Sequence, residues 1–161
     1  MSEETETTST IRPTCVNDLL PLAGAELGPT AWHEVTQETI NTFADITGDH
    51  QWIHVEPERA AESQYGSTIA HGLFTLSLGP ALFDSLLTSE AFAHSVNYGY
   101  EKVRFPAPLP VGSRIRMHAT VLTVKDLGDG SAHMVTRQTF EREGFDKPVC
   151  VADSVARFYE K

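Results

Sequence analysis

Between Ala70 and Leu87 the chain places Leu73, Phe74, Leu76, Leu78, Ala81, Leu82, Phe83, Leu86 and Leu87 on nearly all faces of a helix. A helix that is apolar all round offers no side to water, so it must lie at the centre of a fold with other elements packed around it. Beyond Ser95 the apolar period changes from about 3.6 to about 2. This predicts strands over residues 95–105, 113–125, 132–141 and 148–159. The connectors carry turn chemistry: Pro106-Ala-Pro-Leu-Pro110 with Gly112, then Leu127-Gly-Asp-Gly130, then Glu143-Gly-Phe-Asp146. The last two imply antiparallel hairpins.

One buried helix followed by long antiparallel strands is an α+β order in which the sheet wraps the helix, the order of a single hotdog fold. The 161 residues and 40% hydrophobic content suffice for one core, and no internal repeat suggests a second. Residues 1–10 are acidic and rich in Thr and Ser, and are expected to form a disordered tail before one domain over residues 11–161. Upstream of the apolar helix we expect a short helix over residues 16–23 and a strand over residues 31–35. Thr36 should cap a helix running to Thr47, with Ile40, Phe43 and Ala44 as its buried stripe and Gly48 as its stop. Residues 49–56 fit neither period and read as an ordered loop, after which Pro57 opens a short helix ending near Ser63.

A net charge of −10 argues against nucleic acid as a partner, because phosphate contacts need clustered Lys and Arg. It would also repel an anionic coenzyme unless bases such as Lys102, Arg104, Arg114 or Arg116 were placed locally. There is no run of about 18 apolar residues, so no membrane span is expected. Cys15 and Cys150 are far apart and lack metal-like spacing; both are expected to be free thiols, as in the cytoplasm.

Titratable residues concentrate in Ala44-Asp-Ile-Thr-Gly-Asp-His-Gln-Trp-Ile-His54 and in Ile69-Ala-His-Gly72 at the mouth of the apolar helix. Asp49 and His54 could grip one water from two sides, one taking a proton and the other returning one. The start of the helix at His71 and Gly72 offers unpaired N–H groups, and Gly72 permits close approach to its own amide. A metal is not expected: His50 and His54 are four apart and Asp49 and His71 could complete a coordination shell, but Gln51 stands where a zinc-peptidase helix needs Glu, and the segment lacks a regular helical pattern. Asn97 and Tyr100, on the first long strand, are candidates to border a ligand. Ser77 lacks the context of a nucleophile and is expected to bond the preceding turn.

Gly48-Asp-His-Gln-Trp-Ile-His54, then Ala70-His71-Gly72, then Val103-Arg-Phe-Pro-Ala-Pro-Leu-Pro-Val-Gly112 together resemble the MaoC-like (R)-specific enoyl-CoA hydratases, most closely their actinobacterial single-hotdog members. The resemblance runs in order over residues 16–159. It implies a homodimer that hydrates trans-2-enoyl-CoA to (3R)-hydroxyacyl-CoA, with Asp49 and His54 catalytic and the Gly72 amide at the thioester oxygen. No cofactor is implied beyond the CoA carried by the substrate. Gln51-Trp52 departs from the Asn-Pro of many members, and carrier-protein thioesters share the signature. A hotdog acyl-CoA thioesterase and a non-catalytic acyl-CoA-binding subunit stay open as alternatives on the same fold.

Overall fold

The computed structural model describes residues 9–161. The expected disordered tail therefore lies outside the described residues except for Ser9 and Thr10, and the Thr10 hydroxyl donates to the Ser85 carbonyl at 2.8 Å. Helix α1 (Val16–Leu19) runs into a 3-10 turn (Leu20–Leu22), followed by two short strands, β1 (Glu26–Leu27) and β2 (His33–Glu34). Helix α2 (Gln37–Thr47) starts where expected, the Thr36 hydroxyl accepting from the Thr39 N–H at 3.2 Å. It ends at Gly48, whose φ of 77° lets its N–H return to the Ala44 carbonyl at 2.8 Å. Ile40 and Ala44 are fully buried beneath it.

Residues 49–56 are more regular than expected. Trp52–Val55 forms a single turn, α3, and Pro57–Ala61 follows as α4. The apolar helix is present as α5 (Gly72–Ser77) and α6 (Gly79–Leu86), divided at Leu78. The division has a local cause: Pro80 has no N–H to return to the Leu76 carbonyl. The expectation of burial on all sides also needs correction, since Leu73 is 60% exposed and the Ser77 and Ala81 side is open within one chain. Ser77 does bond the preceding turn, at 2.7 Å to the Phe74 carbonyl.

Four long strands follow: β3 (His94–Arg104), β4 (Arg114–Asp126), β5 (Ser131–Arg142) and β6 (Cys150–Tyr159). The sheet is antiparallel in the order β1-β4-β5-β6-β3, with β2 also on β4. Its two hairpins, β4–β5 and β5–β6, are those the connectors predicted. Met117, Ala119 and Val121 of β4, Met134 and Phe140 of β5, and Ala152 and Phe158 of β6 share one buried cluster with Phe74, Leu76, Phe83 and Leu86 of the helix. Phe140 and Met117 are wholly buried, and truncating such a residue to Ala costs about 2–5 kcal/mol. Both cysteines are free, and burial pushes the Cys150 thiol up to about 12.

Candidate active site

Three segments distant in sequence are bonded together at the N-terminus of α5. Ile69 N–H donates to the Ile53 carbonyl at 3.0 Å, Ala70 N–H to Leu109 at 2.8 Å, and Val111 N–H to Thr68 at 2.9 Å. The turn bearing His54 and the proline-rich connector after β3 thus flank residues 68–70. A side-chain relay strengthens the assembly. Gln37 donates from Nε2 to the His54 carbonyl at 2.7 Å, and its Oε1 accepts from the buried Thr68 hydroxyl at 2.5 Å. Neither Gln37 nor Thr68 carries a sequence signal, because their role exists only once α2 meets the 68–70 segment.

The His54 ring is 6% exposed and donates from Nδ1 to the Ile69 carbonyl at 2.6 Å. A carbonyl only accepts, so the neutral ring carries its hydrogen on Nδ1 and presents a lone pair at Nε2. Burial lowers the His54 pKa below its ordinary value. The bond to Ile69 opposes this, His71 adds to the lowering, and Asp49 raises it. Asp49 follows directly on the left-handed Gly48 and keeps its carboxylate 57% exposed. Ligand-type atoms of Asp49, His54 and His71 lie within 4.8 Å of one another. His54 Nδ1 and His71 Nε2 are engaged with carbonyl oxygens, so His54 Nε2, His71 Nδ1 and the Asp49 carboxylate are the groups left to meet a proton or a cation.

A cavity of about 320 Å³ opens beside His54, lined also by Ala70, Gly72, Thr75, Phe105 and the 106–109 connector among others; Asp49 is not among its lining residues. Most of its lining residues are apolar, with His54, Tyr65 and Thr75 among them. The Gly72 amide at the first position of α5 has no partner a turn earlier in its helix. Sequence reasoning expected a ligand against Gly72, but its Cα is also covered by a side chain of the protein. A Cβ built there would stand 2.8 Å from Cγ of Phe105. Phe105 and the connector were legible as part of a motif, though not as a cavity wall.

The remaining candidates lie elsewhere. His71 packs behind the wall, stacked on His54, and is not among the cavity-lining residues. Asn97 and Tyr100 on β3 bond each other at 3.1 Å, and Asn97 lines a second, smaller cavity with Phe83, Leu87, Gln138 and Phe158. Neither borders the His54 cavity in the single chain. Of the bases considered for a coenzyme, Arg114 pairs with Glu143 and Arg116 with Glu141, and both guanidinium groups lie over the Trp32 ring.

The chain is similar to known proteins along most of its length. Over 143 residues the chain is 50% identical to a 3-hydroxyacyl-thioester dehydratase Z of Mycobacterium tuberculosis, covering 89% of this chain and 95% of the relative. It is 42% identical over 132 residues to nodulation protein N of Rhizobium leguminosarum bv. viciae, covering 81% and 82%. Among solved structures, a monoamine oxidase regulatory protein from Archaeoglobus superposes with a TM-score of 0.76 at 23% identity, over 95% of this chain and 99% of that one. An R-hydratase from Pseudomonas aeruginosa superposes with a TM-score of 0.71 at 21% identity, over 92% and 87%. These likenesses identify the fold as a single hotdog. Residues 20–144 match the model of the MaoC like domain, and the chain belongs to that family.

Proposed function

We propose that the protein is a hydro-lyase that reversibly hydrates a trans-2-enoyl thioester to the (3R)-hydroxyacyl thioester, with Asp49 and His54 as its acid–base pair. The observation that supports this most is the buried His54, whose Nε2 lone pair is left free in a ring that lines the cavity and has a nitrogen within 4.8 Å of a carboxylate oxygen. A water held between the two gives its oxygen to the β-carbon and one proton to the base. The thioester oxygen carries the negative charge as an enolate, and the α-carbon then takes up that same proton, handed back by the pair that removed it from water. The Gly72 amide is the donor we assign to that oxygen. The step is redox-neutral and calls for no cofactor beyond the CoA that carries the acyl group. A thioester of an acyl carrier protein would present the same reacting atoms.

We further infer a homodimer. Strand β3 ends the sheet and exposes Val96 and Tyr98, and Leu73 is exposed on the helix. An open edge and an open apolar side are both closed when two copies pair. Free thiols and the lack, among the described residues, of a helix able to cross a membrane are compatible with a cytoplasmic enzyme.

The test follows loss of enoyl-CoA absorbance across chain lengths, with thiol release measured in parallel and the product resolved by chirality. Asp49→Asn and His54→Ala should each lower kcat by about 10² or more, the first with little change in melting and the second with a lower melting temperature because it strands the Ile69 carbonyl. Thiol release without loss of the enoyl band would make the protein a thioesterase. A folded variant with wild-type turnover would remove that residue from the mechanism.

A further inference from the structure

His71 is 4% exposed, yet the cavity is walled by its neighbours Ala70 and Gly72 and not by His71 itself. Its contacts lead to the two groups assigned to chemistry. Nε2 donates to the Asp49 carbonyl at 2.9 Å and lies 4.0 Å from Asp49 Oδ2. The ring stacks on His54 with 3.7 Å between centroids and 24° between planes. Phe43 holds it at 5.0 Å, and Phe43 meets Phe74 edge-on at 5.7 Å, so the imidazole is wedged against the helix core.

Because Nε2 faces a carbonyl, the hydrogen sits there and Nδ1 keeps a lone pair that has no partner among the described residues. An apolar ring of the same shape would avoid that desolvation cost. What imidazole adds at this position is the Nε2–H donor to Asp49. Asp49 has weak ties otherwise: its own N–H to the Thr47 hydroxyl and the Gln51 N–H to its carboxylate both measure 3.4 Å.

We propose that His71 is a positioning residue that fixes the Asp49 backbone and the His54 ring at one separation, an inference that rests on these two being the acid–base pair. It contacts no substrate and works through its two neighbours. The charged or titratable groups facing His54 are Asp49 and His71, with Tyr65 farther along the cavity wall and the neutral Gln37 amide on its carbonyl.

Two variants separate the two contacts. His71→Phe keeps a stacked ring and removes the donor, whereas His71→Gln keeps an N–H near the Nε2 position and removes the ring. His71→Phe should lower kcat by at least about tenfold with KM within about threefold, the pattern of a contact that acts on the reacting geometry. His71→Gln, which keeps the donor and loses the stack, should recover part of kcat. In it the His54 titration, followed by NMR of the ring protons, should move upward because the neighbouring imidazole is gone. A folded His71→Phe protein with wild-type kcat, or an unmoved His54 titration in His71→Gln, overturns the proposal. If His71→Phe does not fold, the NMR measurement on His71→Gln decides. Should the wild-type protein fail to hydrate any enoyl thioester, the functional reading falls, and the same titration still reports on the stack.

Discussion

Replacing Gly72 by Ala tests the crowded mouth of α5. An ideal Cβ at Gly72 lies 2.8 to 2.9 Å from three ring carbons of Phe105. Carbon atoms rest at about 3.5–4.0 Å, so the ring must withdraw by roughly 1 Å. Phe105 is 43% exposed and follows the end of β3, so its ring can swing outward and the strain should stay near the low end of the 1–3 kcal/mol typical of overpacking. At about 2–4 °C per kcal/mol for a domain of this size, the melting temperature should fall by only a few degrees. Catalysis should suffer more, because the displaced ring lines the cavity that holds His54 and the Gly72 amide. Loss of an entire oxyanion donor costs about 2.7–4 kcal/mol. A partial displacement should cost at least about 1.4 kcal/mol, a tenfold fall in kcat/KM. The assay is enoyl absorbance beside thermal melting for Gly72→Ala, Phe105→Ala and the double variant, read as a cycle. The double variant should regain the melting temperature that Gly72→Ala loses relative to its own parent. Gly72→Ala with full kcat/KM would place the reacting oxygen elsewhere, and an additive cycle would show that Phe105 is not the obstacle.

Acid stability should depend on His54. Its folded pKa lies below the ordinary value of 6.5, chiefly through burial, so on acidification the unfolded chain takes up the proton first. Stability is then complete above about 6.5 and declines as pH falls toward the folded pKa. His54→Gln should melt with a shallower pH slope in that window, and an unchanged slope would refute the assignment. Gln37→Leu strands the buried Thr68 hydroxyl and frees the His54 carbonyl, so it should cost about 1–3 kcal/mol in denaturant melts and lower kcat more than it alters KM. Light scattering at micromolar concentration should give about twice 17.7 kDa; a monomer mass would remove the dimer.

The parts of the fold legible in the sequence are those decided locally. Thr36 and Gly48 bound α2 because a hydroxyl cap and a left-handed glycine act within a few residues of where they stand. The two hairpins follow from their turns, and the long strands from a period of two. The break at Leu78 was also local, since Gly79-Pro80 carries it, but the continuous apolar pattern masked that signal. Strand order was not local. β3 leaves its sequence neighbour β4 and pairs with β6, a choice made by the closure of the sheet around the helix and not by any turn.

The site divides along the same physical line. Asp49 and His54 are five positions apart, and the helix stop at Gly48 together with the α3 turn keeps them near each other, so their nearness was legible from spacing, while their expected role came from the family resemblance of three motifs taken together. What holds them is supplied by partners 15 to 22 residues away: Ile69 for the His54 tautomer and His71 for the Asp49 backbone. Gln37 reaches His54 across 17 positions and Thr68 across 31. Phe105 reaches Gly72 only through the connector that follows β3. Each of these contacts depends on residues 68–70 lying between two other segments, so none could be recognised before that arrangement was known. A buried imidazole is useful as a base only if one nitrogen is engaged and the other is free. That condition is met here by a backbone carbonyl, and the identity of the side chain at position 69 plays no part in it.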